Sequence, residues 1–306
     1  SDAVAGVGNV ILKREFEGVS VGARYGAAAE GGLATRQYTA TSGAVWESGG
    51  LIATYMRASV DPIRAADRDY ASRLTYPTTL HPGRDVDSAL LSLHQAVGSR
   101  VELRLDALGT RRDQMYNFFL AGMNTHVTPR TTTTFVAPGI DMHLDNDWSI
   151  SVSAAWGRDR HRQYQVRQDM GTWATVSQLD ECYCNKSEVY EVGAEGPLFS
   201  LRAGEARVAL GGGYRVNEFG QINNATGSPI TEGRESSRFA YAELDVPLVS
   251  ADSGIGGIER LDLTAAVRTE DYDTFGSVTT PKLGLIYSPS GDVTFKASAG
   301  RSFKAP

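Results

Sequence analysis

At 306 residues the chain is long enough for two ordinary domains or for one large β-barrel. Apolar residues make up 41% and charged residues 22%, with 33 Gly and 13 Tyr, a composition too apolar for disorder and rich in strand and turn formers. The net charge of -6 and the scatter of the Lys and Arg residues exclude a nucleic-acid-binding surface, and no apolar run is long enough for a membrane-spanning helix; spanning strands of about 9 to 11 residues are untouched by that test.

In chain order, the opening Ser1-Asp2-Ala3 has no charged or apolar leader, and the close at Lys304-Ala305-Pro306 falls in mid-phrase, so both ends read as cut. A first strand is expected near Gly18 to Gly26. Val101, Leu103, Leu105 and Ala107 then alternate with Glu102, Arg104 and Asp106, and Ile150, Val152, Ala154 and Trp156 repeat the pattern. Val208, Leu210, Gly212 and Tyr214 share one parity against Arg207 and Ala209. Leu261, Leu263, Ala265 and Val267 interleave with Asp262, Thr264, Ala266 and Arg268, followed by Leu283, Leu285 and Tyr287. Each strand so read has one greasy and one wet side. Arg104 and Asp106 are costly against lipid but fit a water-filled lumen, and Arg207, Arg268 and Glu243 fall on the wet parity as rungs of an internal charge ladder.

The connections alternate in length. Short turns are expected at 47–50, 98–99, 145–147 and 288–292, with 197–204 and 249–257 on the same side. Longer polar loops fall between them at 60–86, 113–131, 165–186 and 219–234, together with shorter ones at 27–34 and 272–276. A soluble sandwich has no reason to sort its loops this way, whereas outer-membrane barrels keep short turns on the periplasmic side and long loops outside. The strand count comes to about thirteen. Single-chain bacterial barrels close with even numbers, and an unclosed sheet exposes an edge and a broad apolar face, so a remainder is expected to complete it.

The phrase from Ser1 to Arg14, SDAVAGVGNVILKR, resembles the end of the plug domain of TonB-dependent outer-membrane receptors, and Glu15-Phe16-Glu17-Gly18 resembles that family's link into the first barrel strand. Further along, Tyr241 to Leu248, Ala266 to Gly276, Thr280 to Leu285 and Gly300 to Pro306 are similar to successive barrel phrases of the same family, in matching order and separation. The energy-coupling box, most of the plug and the later strands of the family have no counterpart in these 306 residues. The resemblance implies an all-β fold, an antiparallel transmembrane β-barrel with about 13 of an expected 22 strands, preceded by the last strand of the plug. It divides the chain into 1–16, the end of the plug, and 17–306, the N-terminal part of the barrel. It further implies residence in the bacterial outer membrane and active transport of a bulky, scarce solute: siderophore-bound iron, a vitamin or a saccharide. The partners would be TonB with its inner-membrane energising complex, the solute, and outer-membrane lipid. No enzyme activity, cofactor, catalytic residue or metal site is expected. A passive porin-like barrel, a membrane-embedded lipase or protease, and a soluble all-β protein are the competing readings.

Aromatic residues in the expected outer loops or near strand tops, Tyr116, Phe118, Phe119, Tyr164, Trp173 and Tyr183, are the candidates for stacking on a large solute, with an aromatic girdle or loop packing as the plainer alternative. Cys182 and Cys184, one residue apart in an expected outer loop, read as a strained bridge or as plain thiols, with metal binding the lesser alternative. The five His show no paired ligand spacing, and the doublets Glu270-Asp271 and Asp180-Glu181 read as solvated turn residues and not as an acid–base pair. Gly6-x-Gly8 lacks the third glycine and the helix of a nucleotide loop.

Overall fold

A chain that alternates apolar and polar residues satisfies its backbone only when each strand pairs with a neighbour. The computed structural model describes residues 12–303 except 72 and 75, and in it thirteen strands pair in sequence order to form one antiparallel sheet. It begins with β1 (Gly18–Gly26), β2 (Thr35–Trp46) and β3 (Gly49–Val60). An excursion then carries two 3-10 turns and a separate ribbon of β4 (Ile63–Arg64) and β5 (Thr79–His81). The sheet resumes with β6 (Gly83–Val97), β7 (Val101–Leu120), β8 (Met123–His143), β9 (Ser149–Asp169), β10 (Thr175–Leu201), β11 (Gly204–Asn223), β12 (Pro229–Val249), β13 (Arg260–Tyr272), β14 (Gly276–Ser290) and β15 (Val293–Gly300). Among the described residues no helix is long and apolar enough to cross a membrane.

Register carries each parity across the whole sheet. Val208, Leu244, Ala265, Leu283 and Ala299 lie opposite one another in one row, and Ile140, Val152, Val192 and Gly212 in another. Val152, Val192, Leu210, Val267 and Leu283 are all exposed, an arrangement that in water would be a large association surface and against lipid is the required one. Aromatic rings border this band. Trp46, Trp148 (against Gly196) and the stacked pair Tyr287 and Phe295 lie towards the short turns; Tyr38, Tyr55, Trp156, Tyr190 and Tyr214 lie towards the other end. The Trp156 indole donates to the Tyr190 hydroxyl at 3.0 Å, edge to face. From Trp148 to Trp156 the strand rises about 26 Å, or about 20 Å once tilted by roughly 40°, close to the ~25 Å apolar band of an outer-membrane barrel.

The opposite face is polar, as Arg104 and Asp106 require. Arg104 pairs with Asp141 at 2.9 Å, and Ser92 donates to Asp106 at 2.6 Å. Glu270, only 5% exposed, accepts from Ser237 at 2.8 Å and pairs with Arg215 at 2.5 Å and Arg268 at 3.2 Å. The buried charges on this wall are partnered, Glu270 across the strands by Ser237 and Arg215 and Asp262 along its own strand by Arg260, the condition under which such burial is tolerated. Tyr241 reaches Glu191 at 2.8 Å by lying across Gly211, where a Cβ would stand 2.6 Å from its ring; glycine there makes room for the contact.

Turns at one end are short, at 47–48, 98–100, 144–148, 202–203 and 291–292, with a longer one at 250–259. At the other end three of the four expected long loops are not loops. β7 and β8 run on to a two-residue turn of Ala121 (φ 50°) and Gly122 (φ 78°), a left-handed pair of the kind that matches strand twist. β9 and β10 extend to Asp169 and Thr175, and β11 and β12 to Asn223 and Pro229. These hairpins rise above the apolar band, where both faces meet water and the alternation that marks a strand in sequence disappears. Only 60–86 is a true excursion. The plug-end phrase at 1–11 and the close at 304–306 lie outside the described residues.

Val152 sits four residues from each bordering tryptophan, at mid-band, while Ser153 faces inward opposite Glu191. Val152→Arg is expected to lower folding stability in lipid vesicles by about 2–4 kcal/mol. Ser153→Arg should cost far less, and equal costs in denaturant titrations would show that the two faces are misassigned.

Candidate functional site

Above the upper aromatic row the inner wall continues as three transverse rows set by the register of β7 to β12. The lowest comprises Leu108, Phe135, Gly157, Ser187, Asn217 and Glu235; the next Thr110, Thr133, Asp159, Asn185, Phe219 and Gly233; the highest Arg112, Thr131, His161, Tyr183, Gln221 and Thr231. Gly157, beside Phe135, carries no side chain between that ring and Phe219, and Gly233 carries none beyond Phe219; a depression of about 620 Å³ opens there, lined also by Asn185, Ser187 and Asn217.

Hydrogen bonds hold the rows. Ser187 donates to Asn217 at 2.8 Å, Thr133 to Asp159 at 2.6 Å, and Thr131 meets His161 at 2.9 Å. In the top row Gln221 donates to Glu181 at 2.8 Å and to the Tyr183 hydroxyl at 3.3 Å, and Tyr183 in turn donates to Glu181 at 3.2 Å. Desolvation, then the negative charge of Glu181, pushes the Tyr183 phenol up, so it remains a neutral hydrogen-bonding ring at physiological pH. The wall therefore offers flat rings beside amides and hydroxyls, a surface for stacking and directional hydrogen bonding.

The six aromatic candidates do not converge. Tyr116, Phe118 and Tyr183 face inward, opposite Val127, Thr125 and His161. Phe119 and Tyr164 fall on the outward parity, opposite Asn124 and Asp180, and Trp173 stands half-exposed in the 170–174 turn. Cys182 and Cys184 share one face of β10, the outward one, and are joined by a disulfide. Phe135 and Phe219, Asn185 and Asn217 were not singled out from sequence. The signal that finds them is parity carried upward from Trp156 and Tyr214, once those stretches are known to be strand. Among the described residues no cluster of three or more His, Cys, Asp or Glu could hold a metal ion.

Polar locks stiffen the hairpin tips. Asp169 accepts from the Thr172 N–H at 2.9 Å, the Thr172 hydroxyl at 3.0 Å and the Gly171 N–H at 3.0 Å, bonds that hold its carboxyl below the usual range. Asp180 is bound in a fork by Arg162 and accepts from Asn224 at 2.7 Å, tying β9, β10 and the 224–228 turn together. The Arg162 guanidinium holds the Asp180 carboxyl below its ordinary value.

The family described as "TonB dependent receptor-like, beta-barrel" matches residues 22–306. A variant of the ferric enterobactin receptor PfeA from Pseudomonas aeruginosa is similar over 96% of this chain and 45% of its own, at 15% identity and a TM-score of 0.72. The siderophore receptor PirA from Acinetobacter baumannii is similar over 96% of this chain and 44% of its own, at 10% identity and a TM-score of 0.65. The ferric citrate transporter FecA shares 10% identity over 93% of this chain and 50% of its own, with a TM-score of 0.52. No curated protein sequence matches. The chain thus spans about half the length of the receptors it resembles. It belongs to the TonB-dependent receptor barrel family, a family of outer-membrane receptors and not of enzymes.

Because the Asp180 carboxyl ionises at lower pH folded than unfolded, its contribution is complete above the ordinary carboxylate range and is lost as pH falls through the lowered folded value. Hydrogen-exchange protection at the β9–β10 tip, corrected for intrinsic rates, should stay level from neutral pH to about pH 5 and fall below about pH 4. Asp180→Asn should give a tip less protected at neutral pH and without that acid step; an unchanged acid step would remove Asp180 from the lock.

Proposed function

We propose that this member of the TonB-dependent receptor family forms part of the wall of a plugged barrel, which captures a bulky, scarce solute at the cell surface and imports it with energy delivered through TonB. The observation that carries this reading is the path of the chain into β1. Arg14 reaches Glu102 at 3.1 Å, and Phe16 lies so close over Gly43 that a Cβ there would collide with the Phe16 carbonyl oxygen. Gly43 and Glu102 both belong to the inward parity, near the short-turn end. Residues 14 to 16 therefore lie along the inside of the wall. A passive porin has no reason to lead its chain through the lumen, whereas a barrel filled by a preceding domain must. This supports residues 1–16 as the end of a plug and 17–306 as barrel.

For the solute, an iron chelate is favoured over a vitamin or saccharide. Three of the similar structures are described as a ferric enterobactin receptor, a siderophore receptor and a ferric citrate transporter. The interleaving of Phe135, Phe219 and Tyr183 with Asn185, Ser187 and Asn217 suits a ligand with flat and polar surfaces, the metal arriving inside its own chelator as cargo. Tyr116 and Phe118, higher on the same face, would make first contact, with Trp173 at a hairpin tip; Phe119 and Tyr164 point away from the lumen and take no part in this reading.

The test uses the full-length receptor in cells, with uptake of labelled ferric chelates followed with and without an uncoupler. Uptake should vanish on deletion and on collapse of the proton-motive force. Phe135→Ala with Phe219→Ala should raise the apparent KM about tenfold or more while the barrel still assembles. Uptake that survives uncoupling would leave a passive barrel, and an unchanged KM would remove the inner depression from the solute path.

A further inference from the structure

We propose that the outward face of the sheet, immediately above the upper aromatic row, binds a phosphate-bearing lipid headgroup of the outer leaflet. The register places Thr134, Arg158, Lys186, Glu218 and Arg234 in one outward row, with Arg160 in the row above. Arg158 lies two residues beyond Trp156 and Arg160 four, about 7 and 13 Å further along β9 before tilt, a height that falls in the ~5–8 Å headgroup layer and its outer margin.

Charge bookkeeping within the patch singles out the two arginines. Lys186 is held by Glu188 at 2.6 Å and lies 3.9 Å from Glu218, which Arg234 also approaches at 3.4 Å. Arg158 and Arg160 form no ion pair among the described residues, and Arg158 lies directly opposite Lys186 in the register. A shallow outward depression of about 580 Å³ lies between them, floored by Gly220 and lined by four cationic side chains, Arg158, Arg160, Lys186 and Arg234, against two acidic ones, Glu218 and Glu232.

An arginine needs a partner that matches its planar fork, and a phosphate monoester supplies two oxygens at the right spacing. At this height on the lipid-facing side, the groups that approach are headgroups. The solute path lies on the other face of the sheet, so this site is independent of what the receptor imports. Below it the Trp156 and Tyr190 rings and Val192 present the apolar surface along which the acyl chains of the same lipid would lie.

The probe is lipid A, which carries sugar-linked phosphates, set against its enzymatically dephosphorylated form, each titrated onto the purified full-length receptor and read by native mass spectrometry. The wild type should bind the phosphorylated form at least about tenfold more tightly. Arg158→Glu with Arg160→Glu should bring the two lipids to near parity, with correct folding checked by heat-modifiable gel migration. Should that variant fail to assemble, Arg158→Gln with Arg160→Gln replaces it, and the wild-type comparison of the two lipids decides alone. Equal binding of both lipids by the wild type, or a variant that keeps the preference, would overturn the proposal. Displacement by millimolar inorganic phosphate would also overturn it, by assigning the patch to free anions; a lipid site should be insensitive to that competitor.

Discussion

A hydrocarbon layer offers no water to the peptide backbone, and the rest of this structure follows from that. Every N–H and C=O within the layer must be met by the adjacent strand, so thirteen strands pair in sequence order, with β3 meeting β6 past the separate β4–β5 ribbon. Side chains then divide by parity: Val152, Val192 and Leu210 go to lipid, and Arg104, Asp106 and Glu270 go inward, where cross-strand partners meet them. Register is what makes this division consistent from β1 to β15, since a slip of one residue would turn every charge on a strand towards the membrane.

Above the aromatic row the constraint relaxes, and function occupies the freedom. β10 runs 27 residues, much longer than the membrane demands, and its upper part joins the inner wall of Tyr183, Asn185 and Ser187 to an outer face bearing Cys184 and Lys186. One extended hairpin array can therefore present a ring-and-amide surface to the lumen and a cationic surface to the headgroups. Locks such as Arg162 with Asp180, and Asp169 with its own turn, hold both surfaces in place without support from the lipid.

Much of the fold was legible because burial in lipid leaves a period of two, plain at 101–107, 208–214 and 261–267, and because turn residues such as Asn146 and Gly98 mark the short connections. The hairpin tops were not legible for the same physical reason. At 113–131 and 219–234 both faces of each strand are wetted, so Arg, Thr, Asp and Glu fall on either parity, and those stretches read as loops. Without strand assignments no face could be given to Phe119 or Tyr164, which turn outward, or to Phe219, which turns inward. Pairing of the outward cationic row needed the cross-strand register of four neighbouring strands, which no single segment contains. The way Phe16 lies over Gly43 was equally hidden, since the two are joined only by β1 folding back on β2.

The assignment of faces can be read directly with nitroxide labels placed one at a time from Ser149 to Trp156 in the full-length receptor in bilayers; the native Cys182 and Cys184, being disulfide-bonded, do not take the label. Collision with oxygen, which concentrates in lipid, should peak at 150, 152 and 154, and collision with a water-soluble nickel chelate should be higher at 149, 151 and 153. A pattern of the opposite phase, or no alternation at all, would contradict a membrane-spanning wall with its polar face turned to the lumen.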